Sequence, residues 1–137
     1  MKDFLIIGFV FLIFSSSILS AQSKRPLELA DMFKMKRIAD PAVSPDGKWV
    51  AYTLTTPNVE ANKNSSDIWL SAADGSSSKQ LTTDAASDRH AIWSPDGKWI
   101  AFESARSGDS QIWLMKADGS EQKQFTTISS GASTPLW

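Results

Sequence analysis

An all-β chain built from repeated four-stranded antiparallel units is predicted by three features of the sequence. The hexapeptide Ser44-Pro-Asp-Gly-Lys-Trp49 returns unchanged as Ser94-Pro-Asp-Gly-Lys-Trp99. All six tryptophans fall into pairs at the repeat spacing: Trp49 with Trp99, Trp69 with Trp113, Trp93 with Trp137. Short apolar runs within each unit are separated by Gly, Asp, Ser and Pro clusters, as in strands joined by tight turns.

The repeat divides into two blocks. Val43–Tyr52 aligns with Trp93–Phe102 at seven of ten positions, offset by 50 residues; Asp67–Thr83 aligns with Gln111–Thr127 at eleven of seventeen, offset by 44. The first copy therefore holds six extra residues, which fall within 53–66. That polar stretch, with Pro57 and three asparagines, reads as a loop insertion. A third copy begins with Trp137, which stands 44 residues after Trp93.

Within a copy, Ser-Pro-Asp-Gly suits a type I turn: Ser accepts at the first position, Pro fixes φ at the second and Gly closes the fourth. Trp99–Ser104 is rich in strand formers, Ser107-Gly108-Asp109 turns the chain, and Gln111–Met115 forms the next strand. Asp118-Gly119 marks a hairpin leading into Lys123–Thr127. With the short strand ending at Trp93, this makes four strands in about 44 residues, the size of a propeller blade. Val50–Tyr52 and Ile68–Leu70 are nearly continuously apolar, as befits inner strands covered by neighbouring blades. The tryptophans read as blade packing.

The predicted fold is thus a β-propeller of four-stranded antiparallel blades, incomplete, with two blades and the first strand of a third. Closed propellers need about four to eight blades, so the chain is expected to be the N-terminal piece of a longer protein. Lys2 precedes an unbroken apolar run, Phe4–Phe14, followed by small and polar residues to Ser23. This is the pattern of a secretory signal peptide cleaved after Ala21 or Ser23, with an uncleaved anchor as the alternative. The expected organisation is a signal peptide at 1–23, a lead-in at 24–40, blade 1 at 41–83, blade 2 at 84–127 and the start of blade 3 at 128–137. Leu29, Met32, Phe33 and Met35 in the lead-in fit one or two helical turns that start after Pro26 and end at Pro41. A periplasmic or secreted location follows.

Composition narrows the function classes. A net charge of −1 carries neither a basic footprint for nucleic acid nor an acidic tail, and the absence of cysteine removes disulfides, thiolate metal sites and a cysteine nucleophile. Gly131-Ala-Ser-Thr-Pro135 is the nearest approach to the Gly-x-Ser-x-Gly elbow of a serine hydrolase and fails at its last position. Ser133 is therefore expected in a loop. His90, the only histidine, aligns with Asp40 and lacks a placed nucleophile. Asp46, Asp74, Asp96 and Asp118 occur one per turn, without the dense alternation of a calcium loop. Asn64-Ser65-Ser66 matches a glycosylation acceptor, and Glu60 is the one acid within the insertion. No catalytic, cofactor-binding or metal-ligating residue is assigned within the chain, and no cofactor is called for.

The run Ser-Pro-Asp-Gly-Lys-Trp-(Val/Ile)-Ala-(Tyr/Phe), Ile-Trp-Leu, Ala-Asp-Gly-Ser and Leu-Thr-Thr resembles the repeat of bacterial TolB-like propellers and of prolyl oligopeptidase family peptidases. Asp31–Gly47 and Asn62–Leu70 look more specifically like secreted dipeptidyl peptidases and acylaminoacyl peptidases. TolB-like proteins place an α/β domain ahead of the propeller, and only about twenty residues separate the leader from blade 1 here. The peptidase resemblance implies a C-terminal α/β-hydrolase domain carrying a Ser-Asp-His triad, with the propeller gating entry of short peptide substrates. From the near-neutral charge no nucleic-acid partner is expected, and after leader cleavage no stable membrane insertion. A non-catalytic envelope propeller that binds a protein or cell-wall partner is the alternative.

Overall fold

A computed structural model describes residues 25–137. The signal peptide expected at 1–23 lies outside the described residues. The elements are a single helical turn, α1 (Leu29–Met32), then β1 (Arg37–Val43), β2 (Trp49–Asn58), β3 (Lys63–Ala72) and β4 (Ser78–Gln80), followed by β5 (Asp88–Trp93), β6 (Trp99–Ser104), β7 (Gln111–Lys116) and β8 (Lys123–Gln124). They form two four-stranded antiparallel sheets, ordered β1-β2-β3-β4 and β5-β6-β7-β8. These are the two blades.

The β1–β2 and β5–β6 connections repeat atom for atom. The Gly47 N–H donates to the Ser44 carbonyl and the Gly97 N–H to the Ser94 carbonyl, both at 2.9 Å, with φ of 72° and 70° at the glycines. Ser44 and Ser94 each accept the N–H of Trp49 or Trp99 at 2.9 Å and donate to Asp46 or Asp96 at 2.6 Å. The conserved spacing therefore encodes one closed hydrogen-bond set, in which Pro fixes the second position and Gly supplies the left-handed fourth.

Blade 1 turns Ala51, Ile68 and Leu70 toward blade 2, which answers with Ile100, Phe102 and Met115; Ile68, Ile100, Phe102 and Met115 are fully buried. Trp93 and Trp113 pack at the margin of this core. Blade 2 also buries its opposite face, Ala101, Glu103 and Ile112. The inner strands of blade 2 are thus covered on both sides. β5 lies against β1, β2 and β3, while β4 contacts only β3 among the described elements, so the sheets diverge from the β1/β5 edge as wedges do.

Two elements differ from the sequence expectation. The stretch 53–66 is not a loop: β2 and β3 pair continuously through Thr55–Ser66, Thr56–Ser65, Pro57–Asn64 and Asn58–Lys63. The six extra residues lengthen a hairpin. Pro57 is tolerated because the odd-numbered residues of β2 direct their backbone groups toward β1, as the Ser44 N–H to Trp49 carbonyl bond shows, and β1 has ended its pairing at Thr55. The lead-in does form one helical turn, as expected, but the element ends well before Pro41. The helix stops after one turn, its start capped by the Asp31 carboxylate, which accepts the Glu28 N–H at 2.9 Å. β1 already begins at Arg37, and Pro41 sits inside that strand rather than ending a helix.

Candidate functional site at the inner edge of the blades

β1 and β5 are the edge strands that converge, and each is interrupted at the same place. Register shifts fall between Ala39 and Ala42 and between Arg89 and Ile92, with Asp40 and His90 both left-handed at φ 53°. Thr134, the third-copy equivalent, has the same φ of 53°. A bulge leaves one residue unpaired, so Pro41 loses no ladder bond there, and Asp and His tolerate the left-handed region better than most residues. Thr134 is β-branched and pays for that conformation; the buried Glu103 carboxylate holds it by accepting the Thr134 N–H.

The bulges bring three titratable side chains together. Asp40 accepts a hydrogen bond from Thr53 Oγ1 at 3.1 Å. His90 Nε2 lies 3.7 Å from Asp40 Oδ2, and His90 Nδ1 lies 3.0 Å from Glu103 Oε1, an ion-pair distance without hydrogen-bond alignment. The three side chains make a polar group at the inner edge, where the two blades converge. Nucleophilic chemistry is a different matter, because Ser133 is exposed and among the described residues accepts and donates no hydrogen bond that would link it to His90.

The remaining sequence candidates occupy turns and strand tips. Asp46, Asp74, Asp96 and Asp118 each accept the backbone N–H two residues on, from Lys48, Ser76, Lys98 and Ser120, at 2.9–3.1 Å. Hydroxyls of Ser44, Ser76, Ser94 and Ser120 are the main reason their carboxyls sit below the usual range, with those N–H groups second. Among the described residues no three His, Asp or Glu side chains converge to hold a metal. Glu60 is exposed in the β2–β3 turn, and Asn64 is a strand residue paired with Pro57.

Sequence reading overlooked a second charged cluster, largely buried within blade 2. Arg106 donates to Asp88 Oδ2 at 2.7 Å, to Gln122 Oε1 at 2.8 Å and to Ser104 Oγ at 2.9 Å, while its guanidinium stacks 4.8 Å over Trp113 and 5.5 Å over Phe102. Asp88 is fully buried. Nearby Asp67 is buried too, and burial pushes its carboxyl above the ordinary range, with the Asp88 charge adding to the rise. Ser65 opposes it by hydrogen bonding. The cluster ties the start of β5 to the turns after β6 and before β8 within blade 2, and Asp67 of blade 1 lies near enough to feel its charges.

Comparison with known proteins adds to this geometry. The family model described as the TolB β-propeller domain matches residues 19–137. The chain belongs to that family. As a TolB-type propeller it is 38% identical over 74 residues to dipeptidyl-peptidase 5 of Porphyromonas gingivalis, covering 54% of this chain and 11% of that protein. It is 33% identical over 115 residues to the uncharacterized peptidase YuxL of Bacillus subtilis, covering 83% of this chain and 18% of YuxL. The acylaminoacyl peptidase of Pyrococcus horikoshii superposes with a TM-score of 0.55 at 32% identity, over 69% of this chain and 14% of that one. The β-propeller domain of the Trilobed protease from Pyrococcus furiosus gives 0.53 at 29% identity, over 66% of this chain and 27% of that one. The chain thus spans a small part of the length of each relative.

Proposed function

We propose that this TolB-type propeller is the N-terminal part of an exported serine exopeptidase, periplasmic or secreted, of the dipeptidyl or acylaminoacyl peptidase type. The observation that carries this reading is the identity shared with dipeptidyl-peptidase 5 and with the acylaminoacyl peptidase, together with the apolar run at Phe4–Phe14 behind Lys2. In this reading a C-terminal α/β-hydrolase domain supplies the Ser-Asp-His triad and the propeller screens it. The substrates are short peptides, admitted past the converging inner edges where Asp40 and His90 present polar groups. The chain's own contribution is exclusion and guidance, since a rigid ring admits an extended peptide and rejects a folded protein.

The test is a fluorophosphonate probe applied to the product of the complete gene. Covalent labelling of a serine, blocked by prior peptide substrate, is the expected result. An unlabelled, correctly folded product would favour the second reading, a non-catalytic envelope propeller that binds a protein or cell-wall partner. That reading draws on the TolB protein of Anaeromyxobacter dehalogenans, 45% identical over 50 residues, or 36% of this chain and 10% of that protein.

A further inference from the structure

The exposed large apolar side chains are not spread evenly. Leu27, Leu29, Met32, Phe33, Met35 and Ile38 are all half exposed or more, within twelve consecutive residues around α1. The lengthened hairpin extends this surface, because Phe33 borders a depression shared with Pro57, Val59 and Lys63, and Val59 is 60% exposed. Water contact on that much apolar surface is unfavourable, and such a patch marks something that covers it.

Charge says what. Arg25 is tied to Asp31, with its two guanidinium nitrogens at 2.6 and 2.7 Å from the carboxylate oxygens, and lies 3.9 Å from Glu28. This offsets the Asp31 charge and leaves Glu28 as the one acid of the segment against Lys34, Lys36 and Arg37. Lys34, Lys36 and Arg37 have no carboxylate within ion-pairing distance among the described residues, and they alternate with Phe33, Met35 and Ile38. Lysine interleaved with apolar side chains is unlike the core of a protein interface, where lysine is depleted. It matches a surface on which apolar groups enter the acyl boundary while ammonium and guanidinium groups meet anionic headgroups.

We propose that the lead-in Leu27–Ile38 and the tip of the β2–β3 hairpin form a peripheral docking surface for an anionic lipid bilayer. Phe33, Met35 and Val59 enter the interface, and Lys34, Lys36, Arg37 and Lys63 pair with phosphate headgroups. The chain is held beside the membrane without spanning it. The surface ends at the start of β1, short of the bulge at Asp40, and the proposal is argued independently of the catalytic reading.

The leader-free exported protein, purified as the complete gene product, is sedimented with vesicles of phosphatidylcholine alone or of phosphatidylcholine mixed with phosphatidylglycerol. Binding to the mixed vesicles only, released by salt, is expected. Lys34→Gln combined with Lys36→Gln weakens the partition roughly thirty-fold, about five-fold for each basic residue near an anionic surface. Phe33→Ser combined with Met35→Ser weakens it with little change in salt dependence. A far-ultraviolet circular dichroism spectrum matching the unsubstituted protein establishes that each variant is folded. Failure to bind the mixed vesicles overturns the proposal. Binding unaffected by both pairs of substitutions overturns it as well.

Discussion

The indole Nε1 of Trp93 donates to the Ala42 carbonyl oxygen at 3.0 Å, reaching from the first strand of one blade to the first strand of the blade before it. The contact then repeats. Trp137 Nε1 approaches the carbonyl of Ile92, the equivalent of Ala42, at 3.5 Å. One residue type at one repeat position thus sets the spacing of successive blades, which explains why this tryptophan recurs although its first-copy counterpart is Val43, with no preceding blade among the described residues to meet. Trp93→Phe keeps the ring and loses the donor, and is expected to cost about 1 kcal/mol. Trp93→Ala also empties the margin of the core and should cost about 3 kcal/mol. Urea denaturation of the two variants separates the contributions.

Arg106 and Asp88 make a bond within blade 2, and here the carboxylate is fully buried while the guanidinium is largely so. Arg106→Met leaves the fully buried Asp88 carboxylate without its cation and is expected to destabilise by about 3–5 kcal/mol. The double variant Arg106→Met with Asp88→Leu removes both charges and should recover much of that loss. Denaturation midpoints for the single and double variants check the non-additivity.

The turn aspartates set one arm of the pH dependence. Hydrogen bonds from Ser94 and then the Lys98 N–H hold the Asp96 carboxyl below its ordinary value in the folded chain. The depressed group stabilises the fold above the unfolded carboxyl value, and that contribution is lost as pH falls through the folded value. Ser94→Ala should raise the Asp96 pKa toward the ordinary carboxylate range, while Asp46, still bonded to Ser44, stays put. Carbon-13 NMR titration reads both in one sample.

Asp67 sets the opposite arm. Its folded pKa is raised by burial, so its contribution is fully present below the unfolded value and is lost as pH rises through the folded one. Asp67→Asn should therefore be more stable than the parent at neutral pH, with the advantage vanishing in acid. Thermal melts across the acid range test the sign, and a variant less stable at neutral pH would refute it.

The repeat was legible because both copies write the same turn with the same residues: Ser44 and Ser94, Pro45 and Pro95, Gly47 and Gly97 make identical bonds. Boundaries were less so. Polarity and Pro57 suggested a loop at 53–66, whereas an antiparallel hairpin can run on with polar residues on both faces once it projects past its neighbouring strand. Pro41 suggested a helix end, and a bulge accommodated it. The inner edge was hidden for a different reason. A left-handed Asp or His has no compositional signature, and only the alignment of Asp40 with His90 and Thr134 hinted that two bulges and a third left-handed residue would line up. Glu103 and Arg106 reach partners 13 to 31 and 16 to 18 residues away in the chain, His90 and Thr134 for the first, Gln122 and Asp88 for the second, and no local pattern announces such pairs.

The central claim is that these blades guard an exopeptidase. The decisive measurement is mass spectrometry of short peptides and of a folded protein after incubation with the complete gene product. Dipeptides or acylated residues should be released from the N-termini of the short peptides while the folded protein remains whole. Intact peptides, or internal cuts in the folded protein, would contradict the account.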